Sequence, residues 1–210
     1  DHDLTYNVHL PIDVSITDAD KHNRALALEH TVRTVACARS LVPTTWTLHL
    51  PYTEDLADKT SVRKWQKRAE AAAAQLLERT GIAPRLVSVE TLDFPPAWLE
   101  PVVNCLDLSV CLDIGHLIEF GYDISETFYR FKDRISILHL YGDVISGRGH
   151  VGLHRLPEAH VPAVKDILWQ FAGTVCLEVF SYADLKASLE VLKRLSGKIG
   201  CSGSQFTVDS

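Results

Sequence analysis

The chain has 210 residues, 46% of them hydrophobic and 23% charged, an ordinary globular composition long enough for one substantial core. A formal charge of −6 with no Lys/Arg-rich stripe leaves no electrostatic footprint for tracking a phosphate backbone, so nucleic acid is not expected as a partner. No apolar run approaches the ~18 residues of a membrane span, and the opening "DHDLTY" carries no signal-peptide pattern.

Strand-like and helix-like stretches alternate along the chain. "LTYNVHL" at 4–10 precedes an amphipathic helix over 20–40, and "TTWTLHL" at 44–50 precedes one over 60–80. That second helix is rich in helix formers and reaches its stop signal at Gly81. "RLVSVET" at 85–91 leads to a helix over 96–105, and "SVCLDIG" at 109–115 to one over 125–133. "ISILHLYG" at 135–142 leads to 158–171, "TVCLEVF" at 174–180 to 182–196, and the tail has room for one more strand. The strands are short, β-branched and apolar on both alternating faces, as expected of interior parallel strands covered on each side. Six such repeats predict one parallel α/β domain over 1–210, either an open doubly wound sheet or a (β/α)8 barrel. No Gly-rich phosphate loop follows any strand, which removes the main support for nucleotide-binding versions of the open sheet.

Each predicted strand carries a potential metal ligand near its C-terminal end: His9, His49, Glu90, Asp113, His139 and Glu178. With ten histidines and 27 acidic residues in the chain, matches at all six ends arise by chance in well under about one case in a hundred, even if each end slides by a residue. In a parallel barrel those ends share one face. "LDIGH" adds His116 three residues after Asp113, and the loop "GRGHVGLHRLPEAH" adds His150 or His154, of which His154 is the expected ligand. Imidazoles mixed with carboxylates suit Zn²⁺, Mn²⁺ or Fe²⁺ better than Mg²⁺ or Ca²⁺, and eight such groups are too many for one ion. Taken singly, His9 reads more readily as a hydrogen-bonded core histidine and Glu90 or Glu178 as an ion-paired carboxylate. The joint pattern carries the metal reading. Asp13 is open to three roles: supporting a ligand, touching substrate, or capping a helix.

The five cysteines, Cys37, Cys105, Cys111, Cys176 and Cys201, form an odd set without a C-x-x-C pair. The first four lie in apolar stretches, which predicts reduced, buried thiols in a cytoplasmic protein. The chain has no methionine, even at its first position. That points to a piece of a longer chain or to methionines carried in modified form.

The order His9, His49, Glu90, Asp113-x-x-His116, His139, loop histidine, Glu178 resembles the xylose-isomerase-like TIM-barrel superfamily, which joins sugar isomerases and epimerases to zinc-dependent apurinic endonucleases. The resemblance covers essentially the whole chain and begins at the family's second strand, implying that the first precedes Asp1. The isomerases use a four-residue core matching Glu90, Asp113, His139 and Glu178. The endonucleases add histidines matching His9, His49, His116 and the loop histidine, and bind two or three metals. They also pair the loop histidine with an aspartate, and no Asp adjoins His154 in sequence. "YNVHLPIDVS", "LDIGHL" and "ILHLYGD" are similar to the cobamide-remodelling phosphodiesterases. That resemblance implies hydrolysis of a small-molecule phosphodiester with Glu90 and Glu178 as catalytic carboxylates and two or more divalent ions as cofactors. The competing implications are a sugar isomerase or epimerase, in which Glu90 and Glu178 exchange a proton beside a carbonyl, and a non-catalytic metal- or cofactor-binding barrel.

Overall fold

In the computed structural model, residues 4–142, 150–197 and 206–207 are described, the last two as backbone. The elements in chain order are β1 (Asn7–His9), α1 (Lys21–Ala38), β2 (Thr45–Leu48), α2 (Lys59–Thr80), β3 (Val87–Glu90), α3 (Glu100–Cys105) and β4 (Ser109–Asp113). They continue with α4 (Ile114–Glu119), α5 (Ile124–Phe131), β5 (Ile135–Leu140), α6 (Val161–Gln170), β6 (Thr174–Leu177), α7 (Tyr182–Ser196) and β7 (Phe206–Thr207). The strands follow one another in the sheet in chain order, and the registers of β1 to β4 and of β5 to β7 are parallel. Every residue of β2, β3 and β4 is buried, as their two-faced apolar sequences require.

The chain divides into two compact units, Asp1–Cys111 and Leu112–Ser210. In the first, α2 carries Trp65, Ala69, Ala73 and Leu76 on its buried face. Trp65, Tyr52, Phe94 and Trp98 pack as a cluster of edge-on and stacked rings, and Trp65 Nε1 donates to Pro51 O at 2.9 Å. Asp58 begins α2 by accepting from Thr60 N–H at 2.8 Å and from the Ser61 hydroxyl at 2.6 Å. Gly81 ends it at φ 64°, its N–H closing on Leu77 O, a left-handed cap that glycine adopts without a Cβ penalty. The second unit centres on Leu112, Phe128, Leu138, Leu140, Val164, Ile167 and Leu177, contributed by β4, α5, β5, α6 and β6.

The helices lie close to their predicted positions, with two differences. Residues 96–99 form a 3-10 turn before α3, started by the Pro95–Pro96 pair. The short helix α4 has no counterpart among the predicted elements: it opens where Asp113 turns from strand to cap and accepts from His116 N–H at 2.8 Å. The cysteines also differ from expectation. Cys111 and Cys176 are buried in strands, whereas Cys37 and Cys105 are exposed on α1 and α3, because a helix in an outer layer turns part of every apolar stretch to solvent. Cys201 lies outside the described residues. Among the described residues, no helix is long and apolar enough to cross a membrane.

Candidate metal centre

The strands deliver the predicted ligands at their C-terminal ends. His9 and Glu90 are the last residues of β1 and β3, and His49 is one residue beyond β2. Asp113 ends β4, His139 is the penultimate residue of β5, and Glu178 follows β6. The chain can leave β1 there at no hydrogen-bonding loss: Leu10 N–H donates to Thr47 O at 2.9 Å, and Pro11, next in line, has no N–H to place.

In the first unit, His9, His49 and Glu90 offer ligand atoms that all lie within 4.8 Å of one another. Glu90 is 2% exposed, and a single oxygen of its carboxylate, Oε2, lies 3.2 Å from His9 Nε2 and 2.9 Å from His49 Nε2. His49 Nε2 is buried and, despite its closeness, is not aligned to hydrogen-bond that oxygen. His9 Nδ1 lies 2.9 Å from Leu10 O. A carbonyl oxygen only accepts, so Nδ1 carries the proton, and a neutral ring then turns its Nε2 lone pair toward the carboxylate. A cation satisfies that contact, either a second proton on His9, which makes it a hydrogen bond to Glu90 at 3.2 Å, or a metal ion. The two imidazole rings have centroids 4.8 Å apart. A divalent ion on the N, N, O donor set would satisfy both imidazoles and the carboxylate at once, so these residues fit a metal.

In the second unit, the same arrangement recurs around Asp113. Its Oδ2 lies 3.4 Å from His116 Nδ1 and 3.8 Å from His139 Nδ1, while Oδ1 is committed to the α4 cap. Glu178 divides its two oxygens in the same way: Oε1 lies 2.9 Å from His139 Nδ1 and Oε2 lies 3.4 Å from His150 Nε2. His139, Cys176 and Glu178 also have ligand atoms within 4.8 Å of one another. Cys176 is not among the ligands expected from the sequence. It pairs in register with His139 across β5 and β6, a relationship that appears only once the two strands are aligned.

Tyr141 organises this second group. The ring is 1% exposed, meets His116 edge-on at 6.2 Å, and lies 4.4 Å from the His150 ring. It reaches that place because residue 115 is glycine: a Cβ there would overlap Tyr141 Cζ. The glycine of "LDIGH" is therefore required by a neighbouring ring, a reason the motif alone does not reveal.

The loop histidine near Glu178 is His150, whereas the expected ligand His154 is exposed in a 3-10 turn, Leu153–Arg155. His154 Nδ1 and Asp184 Oδ1 of α7 both lie beside Gly152. The Ser181 hydroxyl, donating to Asp184 at 2.7 Å, and then the Gly152 N–H hold that carboxyl below the ordinary aspartate range, with His154 adding to the effect. His150 adopts φ 39°, a left-handed backbone that costs a residue with a Cβ about 1 kcal/mol and that concentrates at functional positions. Asp13 is exposed, and the α1 cap is Asp20, which accepts from His22 N–H at 2.8 Å and Asn23 N–H at 3.0 Å.

No family model matches the chain, and no curated protein matches it. Solved structures do, and they identify the fold as the xylose-isomerase-like TIM barrel. The TTHB071 protein from Thermus thermophilus, solved after soaking with ZnCl2, is 23% identical with a TM-score of 0.75, over 94% of this chain and 80% of that one. A D-tagatose 3-epimerase-like protein is 16% identical at a TM-score of 0.71, covering 92% and 78%. Endonuclease IV from Thermus thermophilus is 16% identical at a TM-score of 0.68, covering 93% and 77%.

Proposed function

We propose that the protein is a divalent-metal-dependent hydrolase that cleaves a phosphodiester of a small molecule, with a cobamide as the substrate. The observation that carries this reading is the pair of imidazoles, His9 and His49, on the single buried oxygen of Glu90. A one-metal isomerase has no ligand role for these two histidines. The cations would be held by Glu90, Asp113, His139 and Glu178 together with His9, His49, His116 and His150. When bound, they would supply Lewis acidity toward phosphoryl oxygens and lower the pKa of water toward about 7.

The remaining contributions belong to the chain. The Leu10 carbonyl fixes the His9 tautomer so that Nε2 faces inward. The cap on α4 holds Asp113 Oδ1 still and leaves Oδ2 for the imidazoles. Glu178, which faces His139 with one oxygen and His150 with the other, is placed to take up a proton as those contacts exchange. The acidic balance of the chain favours a small phosphodiester over a polyanion. The similarity of this chain's "YNVHLPIDVS" and "ILHLYGD" to the cobamide-remodelling enzymes narrows the substrate.

One resemblance favours a second reading. The structural likeness to a D-tagatose 3-epimerase-like protein, together with the carboxylates Glu90 and Glu178, suits proton exchange beside a sugar carbonyl. Assays of the metal-loaded protein on an adenosylated cobamide, an aryl phosphodiester and a panel of ketoses separate the two. Phosphodiester cleavage with ketoses untouched is expected, and ketose epimerisation without cleavage would establish the alternative.

A further inference from the structure

Three rings form a column that runs from the core of the second unit to its surface. Tyr141 is buried, His150 packs on it at 4.4 Å, and Phe180 packs on His150 at 4.9 Å with the planes tilted by 57°. Phe180 is nevertheless 85% exposed, and Tyr182, two residues on, is 80% exposed. These two are the most exposed aromatic side chains among the described residues. Single exposed apolar residues are common and need no explanation. Here, however, Phe180 follows Glu178 by two residues, and the histidine it packs against turns Nε2 to that same carboxylate at 3.4 Å. An apolar, nearly rigid ring is thus left open to solvent beside a group of metal ligands.

We propose that Phe180, extended by Tyr182, is the surface on which a planar aromatic or heteroaromatic group of the substrate stacks while its phosphate is held at the adjacent ligands. The inference rests on the reading of those ligands as a metal centre for a phosphate ester. Aromatic faces pair in offset or tilted arrangements at about 4.5–7 Å, and a flat ring gains more there than a saturated ring of equal size. A substrate ring would continue the column that Tyr141, His150 and Phe180 begin. Phe180 is a specificity-determining residue in this account, and it also packs on His150, one of the ligands.

The test is calorimetric titration of the Zn²⁺-loaded protein with phenyl phosphate, cyclohexyl phosphate and inorganic phosphate. The wild-type protein is expected to bind phenyl phosphate about threefold to tenfold more tightly than cyclohexyl phosphate, the range of an aromatic pair beyond its area burial. Phe180→Ala should erase that preference, read as the ratio of the two esters so that any effect through His150 cancels, and Phe180→Trp should keep it. A preference that survives in Phe180→Ala overturns the proposal. If inorganic phosphate binds but the wild-type protein treats the two esters alike, the stacking surface is overturned and the metal centre stands. If no phosphate binds at all, the metal reading fails and the stacking surface with it. A preference unchanged by Phe180→Ala, accompanied by altered self-association in sedimentation, would assign the ring to an interface between copies and also overturn the proposal.

Discussion

The two units solve the same local problem with different degrees of burial. In each, one carboxylate oxygen faces two imidazole nitrogens: Glu90 Oε2 with His9 and His49, and Asp113 Oδ2 with His116 and His139. In the first unit the distances are 2.9 and 3.2 Å and both imidazoles keep partial access to solvent. In the second they open to 3.4 and 3.8 Å, and both Asp113 and His139 are fully buried. Burial raises the penalty for any unmatched charge. Both carboxylates are buried, so the contrast lies in His139: its removal leaves a buried cavity, whereas His49 keeps contact with solvent.

Four changes probe that contrast. The largest effect is expected for His139→Ala. It removes the imidazole between Asp113 and Glu178 and leaves buried carboxylate behind, so the metal-free protein should lose about 3–5 kcal/mol in denaturant unfolding as well as its metal. An unchanged unfolding midpoint would show the two groups to be alike. Gly115→Ala comes next, because the added Cβ overlaps the Tyr141 ring; overpacking of this kind costs about 1–3 kcal/mol, and a thermal melt reads it directly. His49→Ala should lower metal content while shifting stability by less than about 1 kcal/mol, with the far-ultraviolet dichroism spectrum unchanged. If metal occupancy is unchanged, His49 is not a ligand.

The smallest effect is a control placed away from the ligands. The Ser61 hydroxyl, then the Thr60 N–H, hold the exposed Asp58 carboxyl below its usual range at the start of α2. Its folded value is depressed, so its contribution is fully present above the ordinary aspartate range near about pH 4 and is lost as pH falls through the folded value. The melting difference between wild type and Asp58→Ala should therefore be constant near neutrality and close in acid. A difference that persists in strong acid would mean that the charge on Asp58 does not matter to the cap.

The strand-end pattern is legible in the sequence because strand period and ligand chemistry are both local. "NVH", "VSVE", "SVCLD" and "ILHL" each carry their candidate ligand at or next to the last position of a buried or half-buried strand. The helices are legible for the same reason, through signals such as Asp58 before α2 and Gly81 after it. What escapes a reading of the sequence is set by contacts between segments. Choosing His150 over His154 depends on a left-handed backbone at His150 and on Asp184 of α7 claiming the neighbourhood of Gly152 and His154. Cys176 joins His139 and Glu178 through cross-strand register, and Tyr141 enters the second group only through the gap left by Gly115. None of these has a signature within a few residues of its own position. The exposure of Phe180 is equally invisible in "TVCLEVF", where it reads as one more strand residue.

The central claim is that the strand-end residues hold two or more divalent ions. Counting divalent ions per chain by elemental analysis after metal loading, in wild type, His49→Ala and His139→Ala, tests it most directly. Two or more ions are expected in the wild-type chain, with each variant losing occupancy and neither losing all of it. A single ion per chain, untouched by His49→Ala, would contradict the claim.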